Sequence, residues 1–122
     1  MKKESNQSAF TCLYHKYKTN AKSTKRLFEL TKDQFKNLTS SRCYYCGILP
    51  YQLFNPFDYY RGKPTSRKPY VYNGIDRVNS KKGYIISNCV PCCGICNRMK
   101  RDLDLDTFLK KIEMIYQHSL GG

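Results

Sequence analysis

Two Cys-x-x-Cys pairs far apart in the chain, Cys43/Cys46 and Cys93/Cys96, are the residues best suited to hold a metal. Four thiolates arranged as two such knuckles make a tetrahedral zinc site, because the two-residue spacer lets both sulfurs of a pair reach one ion. Gly47 suits the tight turn that follows the first pair. The second pair has a rival, since Cys89/Cys92 has the same spacing with Pro91 inside it. Gly94 gives Cys93/Cys96 the backbone freedom a knuckle requires, so this pair is preferred. Cys89 and Cys92 then fall on apolar positions of a strand and its exit. Cys12 reads as a buried thiol on a helix.

Asp76 and Asn97 suggest a second kind of chemistry. A carboxylate and an amide oxygen with open water positions suit a hard cation, Mg²⁺ or Mn²⁺. Such an ion would bind a phosphodiester and stabilise its leaving oxygen. Taken alone, Asp76 is better explained by pairing with Arg77 or by capping a turn.

Several elements must position these residues. Phe10, Leu13, Tyr14, Tyr17 and Ala21 recur at helical spacing and predict a helix from Ser8 to about Ser23, with lysines on its other faces. Phe28–Leu30 is short and extended. Thr31-Lys32-Asp33-Gln34 has the form of a capping box and opens a second helix carrying Phe35 and Leu38. Residues 48–72 hold four prolines and read as irregular. Their aromatic rings alternate with Arg61, Lys63, Arg67 and Lys68, a mixture suited to stacking and phosphate contact. Tyr72–Cys89 reads as a hairpin turning at Asn79–Gly83 and returning through Tyr84-Ile85-Ile86. A short helix over Gly94–Arg101 follows. Asp104 or Asp106 caps a last helix whose stripe, Phe108, Leu109, Ile112, Ile115 and Tyr116, reads as core packing.

The whole fits one domain over residues 1–122. It divides into a disordered arm (1–7), an N-terminal helical region (8–42), a zinc-bound core (43–101) and a C-terminal helix (102–122). Lys and Arg number 22 against 9 acidic residues, a net charge of +13. Such an excess points to a polyanionic partner, nucleic acid above all. No amphipathic basic helix with a wide apolar face supports a membrane surface instead. No secretory leader is visible in Met1–Gln7 and no run is long and apolar enough to span a bilayer. The expected setting is intracellular and reducing, where seven cysteines serve better as metal ligands and thiols than as disulfides.

Three segments together resemble the HNH, or ββα-metal, endonuclease family. Ile75-Asp76-Arg77-Val78 is similar to the family's Asp-His-Ile step. Gly83 with Ser87-Asn88-Cys89-Val90-Pro91 resembles its Gly…Ser-Asn-Leu-Val-Pro segment. Cys93-Gly94-Ile95-Cys96-Asn97-Arg98-Met99-Lys100 resembles its Cys-x-x-Cys-Asn-x-x-Lys close. The resemblance covers Cys43 to about Lys100. It implies an α+β fold, a small zinc-stabilised ββα core with flanking N- and C-terminal helices. It implies a metal-dependent endonuclease acting on double-stranded DNA, with Asp76 and Asn97 as ligands of Mg²⁺ or Mn²⁺ and Asn88 holding the hairpin. Lys81, Lys82, Arg98, Lys100 and Arg101 are the expected phosphate contacts.

One departure matters. Arg77 stands where the family's general base, a His, is usual, as in some phage-type and rare-cutting restriction HNH enzymes. Arginine cannot take a proton from water, but it can stabilise the phosphorane charge and grip a non-bridging oxygen. The chain has two histidines. His15, on the first helix, is the candidate base; Tyr84, Tyr72 or water on the metal are the other options. The competing expectation is a catalytically decayed, zinc-stabilised DNA- or RNA-binding module. Homing, restriction or another phage role, and with them a homodimer, stay open, as does the target sequence.

Overall fold

In the computed structural model, which describes residues 6–55 and 68–121, the chain opens with the expected amphipathic helix, α1 (Gln7–Ser23). Gln7, assigned to the arm from sequence, already belongs to α1; residues 1–5 lie outside the described residues. Phe10, Leu13, Tyr14 and Ala21 are buried along one stripe, as their spacing requires. The stripe packs on α2 (Lys32–Thr39) through Phe35, which is fully buried. The rings of Phe10, Tyr14 and Tyr17 meet Phe35 at 5.8, 5.2 and 5.2 Å, edge-on or tilted as aromatic quadrupoles favour. The Tyr14 hydroxyl donates to the Leu30 carbonyl at 2.7 Å. The capping box at the start of α2 forms as read: Gln34 N–H donates to Thr31 Oγ1 at 3.1 Å and Thr31 N–H to Gln34 Oε1 at 3.0 Å.

The segment read as irregular contains a short antiparallel pair instead, β1 (Gln52–Phe54) and β2 (Tyr70–Tyr72). Pro50 and Pro69 flank the paired residues rather than interrupting them, so no ladder bond is lost. Tyr70 anchors the pair, its ring 5.3 Å from Phe10 and its hydroxyl 2.7 Å from Thr39 Oγ1. Arg61, Lys63 and Arg67 lie outside the described residues.

The hairpin exists with a different return strand. β3 (Gly74–Arg77) pairs antiparallel with β4 (Cys89–Cys92), Asp76 opposite Val90. Tyr84 does not pair back onto β3. It bridges in parallel to Phe28, with Tyr84 N–H donating to the Leu27 carbonyl and Glu29 N–H to the Tyr84 carbonyl, both at 2.8 Å. The close approach at this bridge requires Gly83, where a Cβ would lie 2.6 Å from the Leu27 carbonyl oxygen. A 3₁₀ turn over Ile86–Asn88 then redirects the chain into β4. Pro91 is tolerated because its backbone nitrogen faces away from β3, where no ladder donor is needed; its carbonyl on that side accepts from Tyr44 N–H at 2.8 Å.

α3 (Gly94–Lys100) follows β4 directly, completing a ββα unit. Asp104 caps α4 (Leu105–Gly121), its carboxylate accepting from Thr107 N–H at 2.8 Å. The α4 stripe does not behave as core. Phe108 is buried against the Tyr45 ring, but Leu109, Ile112, Ile115 and Tyr116 are 48%, 36%, 61% and 59% exposed. After its first turn, no described element covers the helix. No helix among the described residues is long and apolar enough to cross a membrane.

Candidate functional site

The sulfurs of Cys43, Cys46, Cys93 and Cys96 all lie within 4.8 Å of one another, the one such ligand cluster among the described residues. Two turns deliver them. Gly47, at φ +79°, closes the first knuckle, with Cys43 N–H donating to the Ile48 carbonyl at 2.9 Å. Cys93 caps α3, its sulfur accepting from Cys96 N–H at 3.4 Å. Cys46 and Cys93 sulfurs are 3.8 Å apart. That is the edge of a tetrahedron with metal–sulfur bonds of roughly 2.3 Å. Burial alone would push the Cys43 thiol up. The backbone amides of Cys46, Cys93 and Tyr45 outweigh it and bring the thiol down to about 6. Burial and neighbouring sulfurs push Cys96 the other way. Sulfurs so crowded cannot all ionise without a cation among them, and the set fits Zn²⁺.

The rival cysteines are not in this ligand set: Cys92 packs against the buried sulfurs, and Cys89 belongs to the aromatic core. Burial raises Cys89 to about 11, and Cys92 is pushed up by burial and by the charge of Asp76. Both stay thiols near neutral pH. Asn73, fully buried, fixes the first knuckle to the rest of the fold by donating to the Ser41 and Ile48 carbonyls at 2.9 and 3.3 Å.

Asp76 is 5% exposed on β3. Its Oδ2 accepts from the Tyr45 hydroxyl at 2.6 Å. The Lys100 ammonium lies 3.2 Å from Oδ2 and 3.4 Å from Oδ1, and Lys100 is fully buried. This overturns the reading of Lys100 as a phosphate contact. A buried carboxylate demands a counter-charge, and Lys100 supplies it instead of facing solvent. Tyr45 escaped the sequence reading altogether, although its position between two zinc ligands marked it as a residue the metal would fix in place. Burial, then the bond to Asp76, raise its pKa, so it stays a donor. Asn97 is exposed on α3.

Arg77 faces the loop between β3 and β4. Its Nη1 donates to the Ser80 and Lys82 carbonyls at 2.6 and 3.1 Å, and its guanidinium lies 5.4 Å over the Tyr84 ring. Asn88 braces the same loop. Its Nδ2 donates to the Asn79 and Gly83 carbonyls at 3.1 and 3.0 Å, and its Oδ1 accepts from Asn79 N–H at 2.9 Å. The braced loop presents Lys81 and Lys82 to solvent, and Arg98 and Arg101 are exposed around α3. His15 lines a different hollow of about 440 Å³ with Lys18, Lys22, Arg26 and Phe28. None of the residues lining it belongs to the Tyr45–Asp76–Lys100 cluster.

No family model matches the chain. An uncharacterized protein of Acanthamoeba polyphaga mimivirus is 38% identical over 96 residues, which is 79% of this chain and 15% of that protein. The chain thus spans under a sixth of that relative's length. A solved structure of the rare-cutting HNH restriction endonuclease PacI superposes with a TM-score of 0.59 at 23% identity, covering 92% of this chain and 81% of that one. With two antiparallel strands, a following helix and a four-cysteine cluster at their junction, the chain has an HNH-like α+β fold.

Proposed function

We propose that this chain is a metal-dependent DNA endonuclease built on a structural zinc. The observation that carries this reading is the buried Asp76 on the first strand of the ββα unit, fixed by a tyrosine of the zinc knuckle. In this reading Asp76 and Asn97 hold a Mg²⁺ or Mn²⁺ ion, which would supply charge stabilisation at the scissile phosphate and its leaving oxygen. Arg77 stabilises the charge of the pentavalent phosphorus. Its Nη1 is committed to the turn carbonyls, so the opposite edge of the guanidinium is the part that meets a non-bridging oxygen. Asn88 keeps that loop in place. Lys81, Lys82, Arg98 and Arg101 grip the duplex backbone without reading sequence. The candidate proton acceptors are water on the metal, Tyr84 beside Arg77, Tyr72, and His15, which would have to act from the neighbouring hollow it lines.

The test is relaxation of supercoiled plasmid by the zinc-loaded chain with Mg²⁺ or Mn²⁺, with Asp76→Asn as the control. Loss of a group that stabilises the transition state costs about a hundredfold or more in rate. Absence of nicking with every divalent ion removes the enzyme reading, and undiminished nicking by Asp76→Asn removes the site. A second reading, a zinc-stabilised nucleic-acid-binding module without cleavage, is favoured by the Lys100–Asp76 pair, which already gives the carboxylate a cation. Retained DNA binding without nicking identifies it.

A further inference from the structure

The Lys100–Asp76 pair is the one ion pair in the protein whose two partners are both buried among the described residues, and its placement follows from the zinc cluster. Lys100 lies four residues after Cys96 and seven after Cys93, so the helix face that carries the two sulfurs also carries the lysine. The cluster thereby aims the ammonium at β3. Asp76 is left with Tyr45 on one oxygen and Lys100 across both. A divalent ion seeking the same carboxylate meets a positive charge already there. It gains Asp76 fully when the ammonium withdraws, since two cations sharing one buried carboxylate repel at short range.

Withdrawal is built into the local chain. Lys100 is the last residue of α3, and Arg101 beyond it adopts φ 52° and ψ −120°, a positive-φ conformation that ends the helix. Final helical turns open at low cost compared with helix interiors. A lysine on a four-carbon stem at such a position can move its ammonium to water without unfolding the sheet. Asn97, one turn earlier on α3, is exposed.

We infer that Lys100 is a resident cation that competes with a divalent metal ion for Asp76, so that metal entry at Asp76 and burial of Lys100 exclude each other. This rests on the reading of Asp76 as a metal ligand and adds the residue that sets the affinity of the site. The competition lowers apparent affinity by the fraction of molecules in which Lys100 has withdrawn.

The experiment measures Mn²⁺ binding by the zinc-loaded full chain, reading free Mn²⁺ by electron paramagnetic resonance. Lys100→Met should bind Mn²⁺ about tenfold or more tighter than the wild type, as expected if the withdrawn state is a tenth of the population or less. Asp76→Asn should lose that site in both backgrounds. If Lys100→Met binds no tighter, while Asp76-dependent binding exists in the wild type, the competition fails and the metal-site reading survives. If no protein binds Mn²⁺ through Asp76, both fail. Should Lys100→Met not fold, the wild type decides by brief amine acylation read by peptide mass spectrometry. Lys100 should be protected without Mn²⁺ and labelled at saturating Mn²⁺. Continued protection at saturation overturns the inference, as does a wild type that takes no Mn²⁺ through Asp76.

Discussion

Two regions hold this fold by different physics. Around α1 and α2, rings close on Phe35 and the stabilisation is spread over many small contacts. Around the knuckles, Cys43, Cys93 and Cys96 are buried with Cys92 packed against them, and the more exposed Cys46 completes the four-sulfur ligand set. This one is held by a few ligand bonds once a metal is present. An aromatic core weakens by degrees when one ring is lost. A four-thiolate core fails together when its ion leaves, because crowded thiols then compete for protons. Asp76 and Lys100 are tied to the sulfur side through Tyr45 and α3.

Four experiments sharpen or break that contrast, in descending order of expected effect. Stripping zinc with a chelator should collapse the second cluster, since structural zinc contributes about 10 kcal/mol or more in small domains. Thermal melts with and without chelator will read it. A melt unchanged by chelation would show that the cysteine cluster stands without metal. Phe35→Ala should cost about 3–5 kcal/mol by chemical denaturation while leaving zinc stoichiometry intact. Loss of zinc in that variant would mean the two regions are one cooperative unit. Thr31→Ala, which removes the cap of α2, should cost about 1 kcal/mol and leave both clusters in place. Lys81→Ala should leave stability unchanged and lower the salt slope of DNA binding by about 1. Titrations at several salt concentrations will show whether this exposed cation binds phosphate, in contrast to Lys100, which is buried on Asp76.

Much of the scaffold is legible in the sequence. The α1 stripe, the Thr31/Gln34 box and the choice of Cys93/Cys96 over Cys89/Cys92 follow from local rules. Periodicity and turn residues act within a few positions of themselves. The misses share one cause. Tyr84–Ile86 has the composition of a return strand, yet Tyr84 is taken by Phe28 across the molecule. The α4 stripe has the spacing of a core helix, yet no described element arrives to cover it. Periodicity states which face a helix would bury, and says nothing of whether a partner is there. The resemblance implies a phosphate contact for Lys100, although one helical turn of register from Cys96 places it against β3.

The chain alone determined the metal chemistry, because Cys-x-x-Cys spacing is a property of adjacent backbone that any fold must honour. It also fixed the strongly basic character of the chain, a net charge of +13, because net charge needs no structure. Only the tertiary structure decided which cations face solvent and which one answers the buried Asp76. That choice depends on the packing of β3 against α3, groups 24 residues apart in sequence, and no local rule reaches so far.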